Sequence, residues 1–428
     1  MKALNFICDV RFHRSFVLPS NPETGRTKPY RVSYSDYGDH NSDAVVLFCG
    51  ALMGMRLCYS PLDQLAKVHK VRIIHPDRPG IGGTDAVELN ERIPTWLGEC
   101  MHPEHWIALV AHTCTEMVPA LLTHLKISHV SLASHSGGDI YLLNTILTYP
   151  HLLHPTSPYI CFFAPWVHPL HSGITMLRAA ELLPAPLIGR FASVARFVND
   201  NVIPLAGMSS GFIHGLKGSL NHHSTTSPAP IPLAPDSPTT LSRTVSGVSR
   251  DGHDSLALND PDVVSELRQL ITTYLFAESM DGISADAQIF LKKPQSVTWC
   301  SSSIFWSDID YAVPLLSKII DEQGPAVESS RNWLIDAFHA EKDEMVGEKG
   351  RLWFDECWKS ARNPSTSMRS ANTIIPEVRE EDDTRRSFEY KSTVVTGSDH
   401  DFLMDAAYGA SNIWLQRVRE AFPSPEEV

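Results

Sequence analysis

The chain has 428 residues, of which 43% are hydrophobic and 20% charged, and a formal net charge of -13. This is enough apolar material for one large α/β domain plus an insertion, and the acidic balance, with no run of basic residues, excludes a nucleic-acid groove or an anionic membrane surface as partner. No stretch reaches the ~18 apolar residues of a membrane span, the opening MKALNFICDVRFHR meets Asp9 and Arg11 too early for a signal peptide, and the cysteines lie scattered without C-x-x-C pairs, so a cytoplasmic protein with reduced thiols is expected.

Residues 30–37 (YRVSYSDY) alternate and stop at Gly38-Asp39, the pattern of a strand closed by a turn. Residues 44–48 (AVVLF) form a continuous apolar run, as a parallel strand buried on both faces requires. The loop Cys49-Gly50-Ala51-Leu52-Met53-Gly54 follows it. A helical pattern over 61–68 leads to a second buried strand at 71–74, which runs into Pro76-Asp77-Arg78-Pro79-Gly80-Ile81-Gly82-Gly83. Strand and helix alternate, which predicts a parallel sheet with crossover helices.

A helix begins at 94–97 and resumes at 117–122, but residues 98–115 break its pattern with Pro103 and scattered histidines. Two readings stand. The codons of Gly98-Glu99-Cys100 can carry a GTGAGT splice donor and those of Thr115-Glu116 an ACAG acceptor in frame, so the segment is either a retained intron or a surface insertion. Sequencing the mature transcript decides between them. His102, His105 and His112 lack the spacing of a metal site, and no metal is expected.

The stretch VSLASHSGGDIYLLN, residues 130–144, organises the chain. A β-branched run meets Ser134-His135-Ser136-Gly137-Gly138, and an apolar helical pattern follows, with Leu142, Leu143, Ile146 and Leu147 on one face. This is the layout of a nucleophile elbow, a sharp strand-to-helix turn that needs small residues two positions to either side of the serine. Those are Ser134, where the motif usually has glycine, and Gly138. Ser136 is the candidate nucleophile, and the helix N-terminus aims free N–H groups and its positive dipole end at it.

With VVLFCGALMGMRL, RIIHPDRPGIGGTD and VSLASHSGG in this order and spacing, the chain from Tyr30 onward resembles the serine α/β-hydrolase superfamily and looks like a fungal member of it. The resemblance implies an α/β-hydrolase fold, a mostly parallel sheet flanked by helices with an inserted helical cap. It also implies an oxyanion hole made of the Ala51 and Gly137 N–H groups, although Cys49 stands where that family usually has histidine. Asp77 and Arg78 fall in what the family uses as a structural turn at the site mouth, so neither is expected to be catalytic.

Residues 159–164 (YICFFA) read as the next buried strand, after which alternation stops. Helical patterns over 174–198 and 261–278 fall where the resemblance places the cap, here residues 165–325, between core segments 1–164 and 326–428. Within it, residues 218–254 are dominated by Ser, Thr, Pro, Gly and His, a composition that cannot offset the entropy of ordering, so a disordered loop is expected. His168, His171 and the pair His222-His223 receive no role. Strand character returns at 333–338 (WLIDAF), and the resemblance puts the acid of a catalytic triad at Asp343, with Asp336 and Glu341 as alternatives. Residues 363–386 read as a solvated surface loop. A last strand at 388–395 leads to the turn Gly397-Ser398-Asp399-His400, where the superfamily places its histidine, before a closing helix at 406–422.

The order Ser136, Asp343, His400 is the chain order this fold uses. It implies a serine hydrolase that opens an ester, thioester or amide bond of a small to medium apolar substrate through an acyl-enzyme, without cofactor or metal. In fungi such proteins often sit in secondary metabolism. Serine at the elbow argues against epoxide or haloalkane opening through an aspartate. Two alternatives stay open: an acyltransferase using the same residues, and a non-catalytic ligand-binding homologue, which the departures at Cys49 and Ser134 and the 98–115 interruption motivate.

Overall fold

A computed structural model describes residues 2–21, 26–97, 116–197, 256–293, 309–322, 331–359 and 388–423. The interruption at 98–115, the Ser/Thr/Pro stretch at 218–254, the segment 363–386 and His102, His105, His112, His222 and His223 lie outside the described residues. The chain divides into two compact units, residues 1–7 with 193–273 and residues 8–192 with 274–428. The second holds the sheet and every candidate site residue.

Eight strands form that sheet: β1 Arg14–Leu18, β2 Tyr30–Gly38, β3 Val45–Cys49, β4 Arg72–Pro76, β5 Ser131–His135, β6 Tyr159–Phe163, β7 Trp333–Lys342 and β8 Phe388–Asp399. Their spatial order is β1-β2-β4-β3-β5-β6-β7-β8, with β1 and β2 antiparallel to their neighbours and every pairing from β4 to β8 parallel. Every residue of β3, β5 and β6 is buried, as their continuous apolar runs require when helices cover both faces. The fold is the α/β-hydrolase fold that the sequence implies.

The strand order places the site. From β3 the chain moves outward to β4, then returns to the other side of β3 for β5 and winds away through β8. The reversal therefore lies between β3 and β5. In open parallel sheets the crevice at the carboxyl ends of the strands, at such a reversal, is where ligands bind. The 49–54 loop leaves β3 and the 134–138 turn leaves β5, so both stand at that crevice.

Eight helices of this unit matter here: α1 Leu62–Val68, α2 Arg92–Leu97, α3 Met117–His124, α4 Gly138–Thr148, α5 Asp281–Phe290, α6 Ala312–Glu322, α7 Gly347–Lys359 and α8 Ala410–Ala421. Between β6 and β7 every described element is helical, α5 and α6 included. On α4, Ile140, Leu142, Leu143 and Ile146 are buried, on a helix packed into the core rather than laid on its surface. Ile93, Trp96 and Leu97 of α2 and Met117, Val118, Leu121 and Leu122 of α3 join the same core, and the Trp96 indole N–H donates to Thr145 Oγ1 of α4 at 2.9 Å.

Four elements differ from the sequence expectation. β1 escapes it because RSFVL is a short edge strand, exposed on alternate residues, whose order comes from pairing with β2 between Arg14↔Tyr34 and Leu18↔Tyr30. β7 and β8 run past their apolar stretches to Lys342 and Asp399, since an edge pair is held by its ladder without needing apolar residues on both faces. The closing helix is broken: Ala406–Tyr408 forms a 3-10 turn, Gly409 takes φ +80°, and α8 starts only after it.

Candidate active site

β5 ends at His135, and Ser136 follows in the left-handed region at φ +51°, a conformation that costs a non-glycine residue free energy and clusters at functional sites. The surroundings hold it there. Its N–H donates to the Phe163 carbonyl at 2.9 Å, and its carbonyl accepts from the Asp139 N–H at 3.1 Å as α4 begins. The turn is tight against its neighbours: a Cβ added to Gly138 would lie 2.1 Å from the Cys49 carbonyl oxygen and 2.6 Å from that of Gly50. Both obstructing atoms are backbone and cannot swing away. We expect Gly138→Ala to cost stability at or above the upper end of the roughly 1–3 kcal/mol range of overpacked cores, read as a lower midpoint in thermal unfolding. An unchanged midpoint would mean the loop yields more easily than this packing implies. Ser134, in the position usual for glycine, is fully buried and stands in register with Cys49 of β3 and Phe162 of β6.

The other two triad candidates arrive on neighbouring strands. The register of β7 and β8 pairs Lys342 with Asp399 after an irregularity at Ala340, so the next residue on each strand, Asp343 and His400, emerges beside its counterpart. His400 Nε2 is 2.8 Å from Ser136 Oγ, and His400 Nδ1 is 3.0 Å from both Asp343 carboxylate oxygens. Asp343 Oδ1 also accepts the N–H groups of Met345 at 2.9 Å and Val346 at 2.7 Å, which fix the carboxylate. The bonding partners set the tautomer: Nδ1 carries the hydrogen given to Asp343, and Nε2 accepts from the serine hydroxyl.

Burial and charge oppose one another here. Burial pushes the His400 pKa down, but the Asp343 charge and hydrogen bond, with Asp401 and Asp399 beyond, outweigh it and leave it above the ordinary imidazole value. Burial pushes the Asp343 carboxyl up, and the His400 charge and hydrogen bond with the Val346 and Met345 amides more than reverse this. Asp139, in the first turn of α4, is held well above the carboxylate range by burial.

The alternatives for the acid lie elsewhere. Asp336 accepts from the Tyr159 hydroxyl and Arg417, both at 2.8 Å, and Glu341 accepts from the Gly397 N–H at 2.8 Å. Neither bonds to His400. His168 accepts the Leu170 N–H at the start of a short helix, and His171 stacks on Trp353 and pairs with Asp310 at 3.0 Å.

The two expected oxyanion donors fare differently. Gly137 caps α4, and its N–H has no partner among the described residues. A Cβ there would lie 2.3 Å from Cε2 of Phe290, so this ring of α5 covers the elbow, and Trp166 stands beside it at a centroid distance of 5.7 Å. The Ala51 N–H, in contrast, donates to Tyr59 Oη at 2.9 Å. Tyr59 Oη is also 2.9 Å from His135 Nδ1, and His135 Nε2 is 2.9 Å from the His400 carbonyl oxygen. Arg78 stays away from the serine and grips the carbonyls of Gly50, Ala51 and Leu52. Sequence reasoning did not find these contacts, because a buried tyrosine and a histidine inside the elbow motif have no pattern of their own.

A cavity of about 210 Å³ touches Asp343, but its walls include His339, Glu341, Glu348 and Arg351, with neither Ser136 nor His400. It is not the apolar pocket the sequence implies. Among the described residues no group of three or more His, Cys, Asp or Glu is placed to hold a metal ion, and no helix is long and apolar enough to cross a membrane.

No protein-family model matches the chain, and no curated protein matches it in sequence. Among solved structures it is similar to a carboxylesterase of the thaumarchaeon Nitrososphaera gargenis, with 14% identity, 95% of this chain and 98% of that one covered and a TM-score of 0.46. It is similar to an epoxide hydrolase from Vigna radiata, with 13% identity, 96% and 99% covered and a TM-score of 0.46. The enol-lactonase of Burkholderia xenovorans shows 9% identity, 94% and 99% covered and a TM-score of 0.45. The fold is identified by its strand order, and the chemistry rests on the distances above.

Proposed function

We propose that the chain is a serine hydrolase that opens an ester, thioester or amide bond through an acyl-enzyme, with Ser136 as nucleophile, His400 as base and Asp343 as its partner. The observation that carries this is the unbroken line from Ser136 Oγ to His400 Nε2 and from His400 Nδ1 to Asp343, on a serine held at φ +51°. A serine hydroxyl is a weak nucleophile at neutral pH. His400 takes its proton as Oγ attacks the carbonyl, and Asp343 holds the tautomer and stabilises the imidazolium. The Gly137 N–H meets the oxyanion, His400 returns the proton to the leaving group, and water activated by the same base releases the acid.

Phe290 and Trp166 beside the elbow favour an apolar acyl group, and α5, which carries Phe290, is the part of the cap that stands over it. The serine nucleophile distinguishes this reaction from epoxide opening, the activity of one structural neighbour. Cys8, Cys49, Cys58, Cys161 and Cys357 are free thiols, which fits a reducing compartment such as the cytosol.

A fluorophosphonate probe on the full chain tests the reading. Attachment at Ser136, located by peptide mass spectrometry, should accompany turnover of at least one p-nitrophenyl ester or acyl thioester in a chain-length series. A folded protein that neither labels nor turns over any of them would favour the ligand-binding alternative.

A further inference from the structure

The Ala51 amide, the expected second oxyanion donor, is already committed to Tyr59. We propose that the second donor is the Leu52 N–H, and that Arg78 is the positioning residue that presents it. This rests on the serine-hydrolase reading above and names the part of the site that reading leaves incomplete.

The argument begins with carbonyl directions. Arg78 is buried and spends its fork on one loop: Nη1 donates to the Gly50 carbonyl, and Nη2 to those of Ala51 and Leu52, both at 2.8 Å. Every peptide here is trans. In a planar trans peptide the C=O and the following N–H point in opposite directions. Carbonyls converging on one guanidinium therefore turn the N–H groups of Ala51, Leu52 and Met53 away from it. Tyr59 takes the first, and those of Leu52 and Met53 have no partner among the described residues.

The loop also lies against the elbow. The Cys49 and Gly50 carbonyl oxygens fill the space over Gly138, the residue after the Gly137 donor. Leu52 is the nearer of the two unengaged amides along the chain to that contact.

Ala51 is not easily released, because its hydrogen-bond chain runs in one direction. The His400 carbonyl can only accept, so His135 Nε2 bears the hydrogen. Burial, then the neighbouring His400, pushes the His135 pKa down to about 3, so the ring is neutral and Nδ1 accepts. Tyr59 must then donate to His135, which leaves its oxygen to accept from Ala51. Freeing Ala51 would unmake the end of a buried chain anchored on the candidate base.

Arg78 is itself fixed from behind. Its Nε donates to Asp286 Oδ2 at 2.8 Å, while Asp286 Oδ1 accepts from Arg92 Nε at 2.8 Å and the Tyr141 hydroxyl at 2.5 Å. Two guanidiniums share one carboxylate there, which leaves positive charge behind the loop. The peptide dipoles so aligned hold their N–H ends away from that charge, fixed in place before an anion forms. Lysine cannot reproduce this, since an ammonium has no planar fork to hold several carbonyls and a carboxylate together.

The decisive experiment is the crystal structure of the full wild-type chain after reaction with a phosphonate ester. The phosphoryl oxygen should lie within hydrogen-bond distance of both Gly137 N and Leu52 N, with Ala51 still on Tyr59. An oxygen bound by Ala51, with Tyr59 displaced, overturns the proposal and leaves the hydrolase reading intact. No adduct on Ser136 overturns both. In kinetics, Arg78→Lys should lower kcat by about 10²–10³, the usual loss on removing one oxyanion donor, with KM changed less than about threefold, and should weaken an alkylboronic acid inhibitor by a similar factor. A folded Arg78→Lys protein with wild-type kcat and boronate affinity also overturns the proposal. Should that variant fail to fold, the adduct structure decides alone.

Discussion

Ser136→Ala is expected to lower kcat on the best ester substrate by on the order of 10⁶ and to abolish fluorophosphonate labelling, while the protein keeps its fold. The magnitude follows from members of a triad acting as one unit: without the nucleophile, base and acid have nothing to activate, and what persists comes from binding and oxyanion stabilisation, about 10³–10⁴ over water. Stability should change little, because the hydroxyl bonds only to His400 Nε2 among the described residues, and alanine relieves neither the φ of +51° nor the surrounding packing. The measurement is a progress curve with enough enzyme to see a residual rate, alongside a thermal melt. Retention of more than about a hundredth of the wild-type rate would show that another group does the chemistry.

How far this site can be read from sequence depends on how local its causes are. The elbow is legible because its cause lies within one local stretch, residues 130–144: a strand, a small residue, a serine, two glycines and an apolar helix. His400 and Asp343 are legible through the resemblance, which places them after the strands at WLIDAF and FEYKSTVV, although the pairing of Lys342 with Asp399 that brings them together is a matter of register. Side-chain periodicity does not report register on an edge pair, which is also why both strands run longer than their apolar residues. The oxyanion loop is the opposite case. Its position is visible from the strand before it, but which amide faces the serine depends on Arg78, twenty-odd residues further on, and on Asp286 from a helix more than two hundred residues beyond that. Tyr59 and His135 likewise meet only after β3, β5 and the 49–60 turns have assembled. A motif locates a backbone donor to within a residue or two, and tertiary contacts choose among the amides it offers.

Asp343→Asn is expected to change both the rate and its pH dependence, and the second effect makes the test specific. By analogy with the aspartate of serine-protease triads, kcat should fall by about 10⁴, because an amide can offer its N–H to Nδ1 and stabilise the wrong tautomer. The reaction needs His400 neutral, so kcat/KM rises with pH through its pKa. In the native protein the carboxylate holds that pKa above the ordinary imidazole value against the downward push of burial, so the acid limb of the profile should have its midpoint above that value. Removing the charge leaves burial less opposed, with only Asp399 and Asp401 pulling the other way, so the midpoint in Asp343→Asn should move to lower pH and the plateau be reached earlier. The stability readout is the useful part, because a structural effect would also bring the pKa down. A variant that merely loosened the turn would expose His400 and let its pKa drift toward the ordinary value while the melting midpoint fell. An isosteric amide that lowers the pKa with little loss of stability is the signature of a charge acting on the base. Asp336→Asn is the matched control: it removes a buried carboxylate bonded to Tyr159 and Arg417 and should lower the melting midpoint without moving the acid limb. If the two variants exchange these behaviours, the strand aspartate rather than the turn aspartate is the partner of His400.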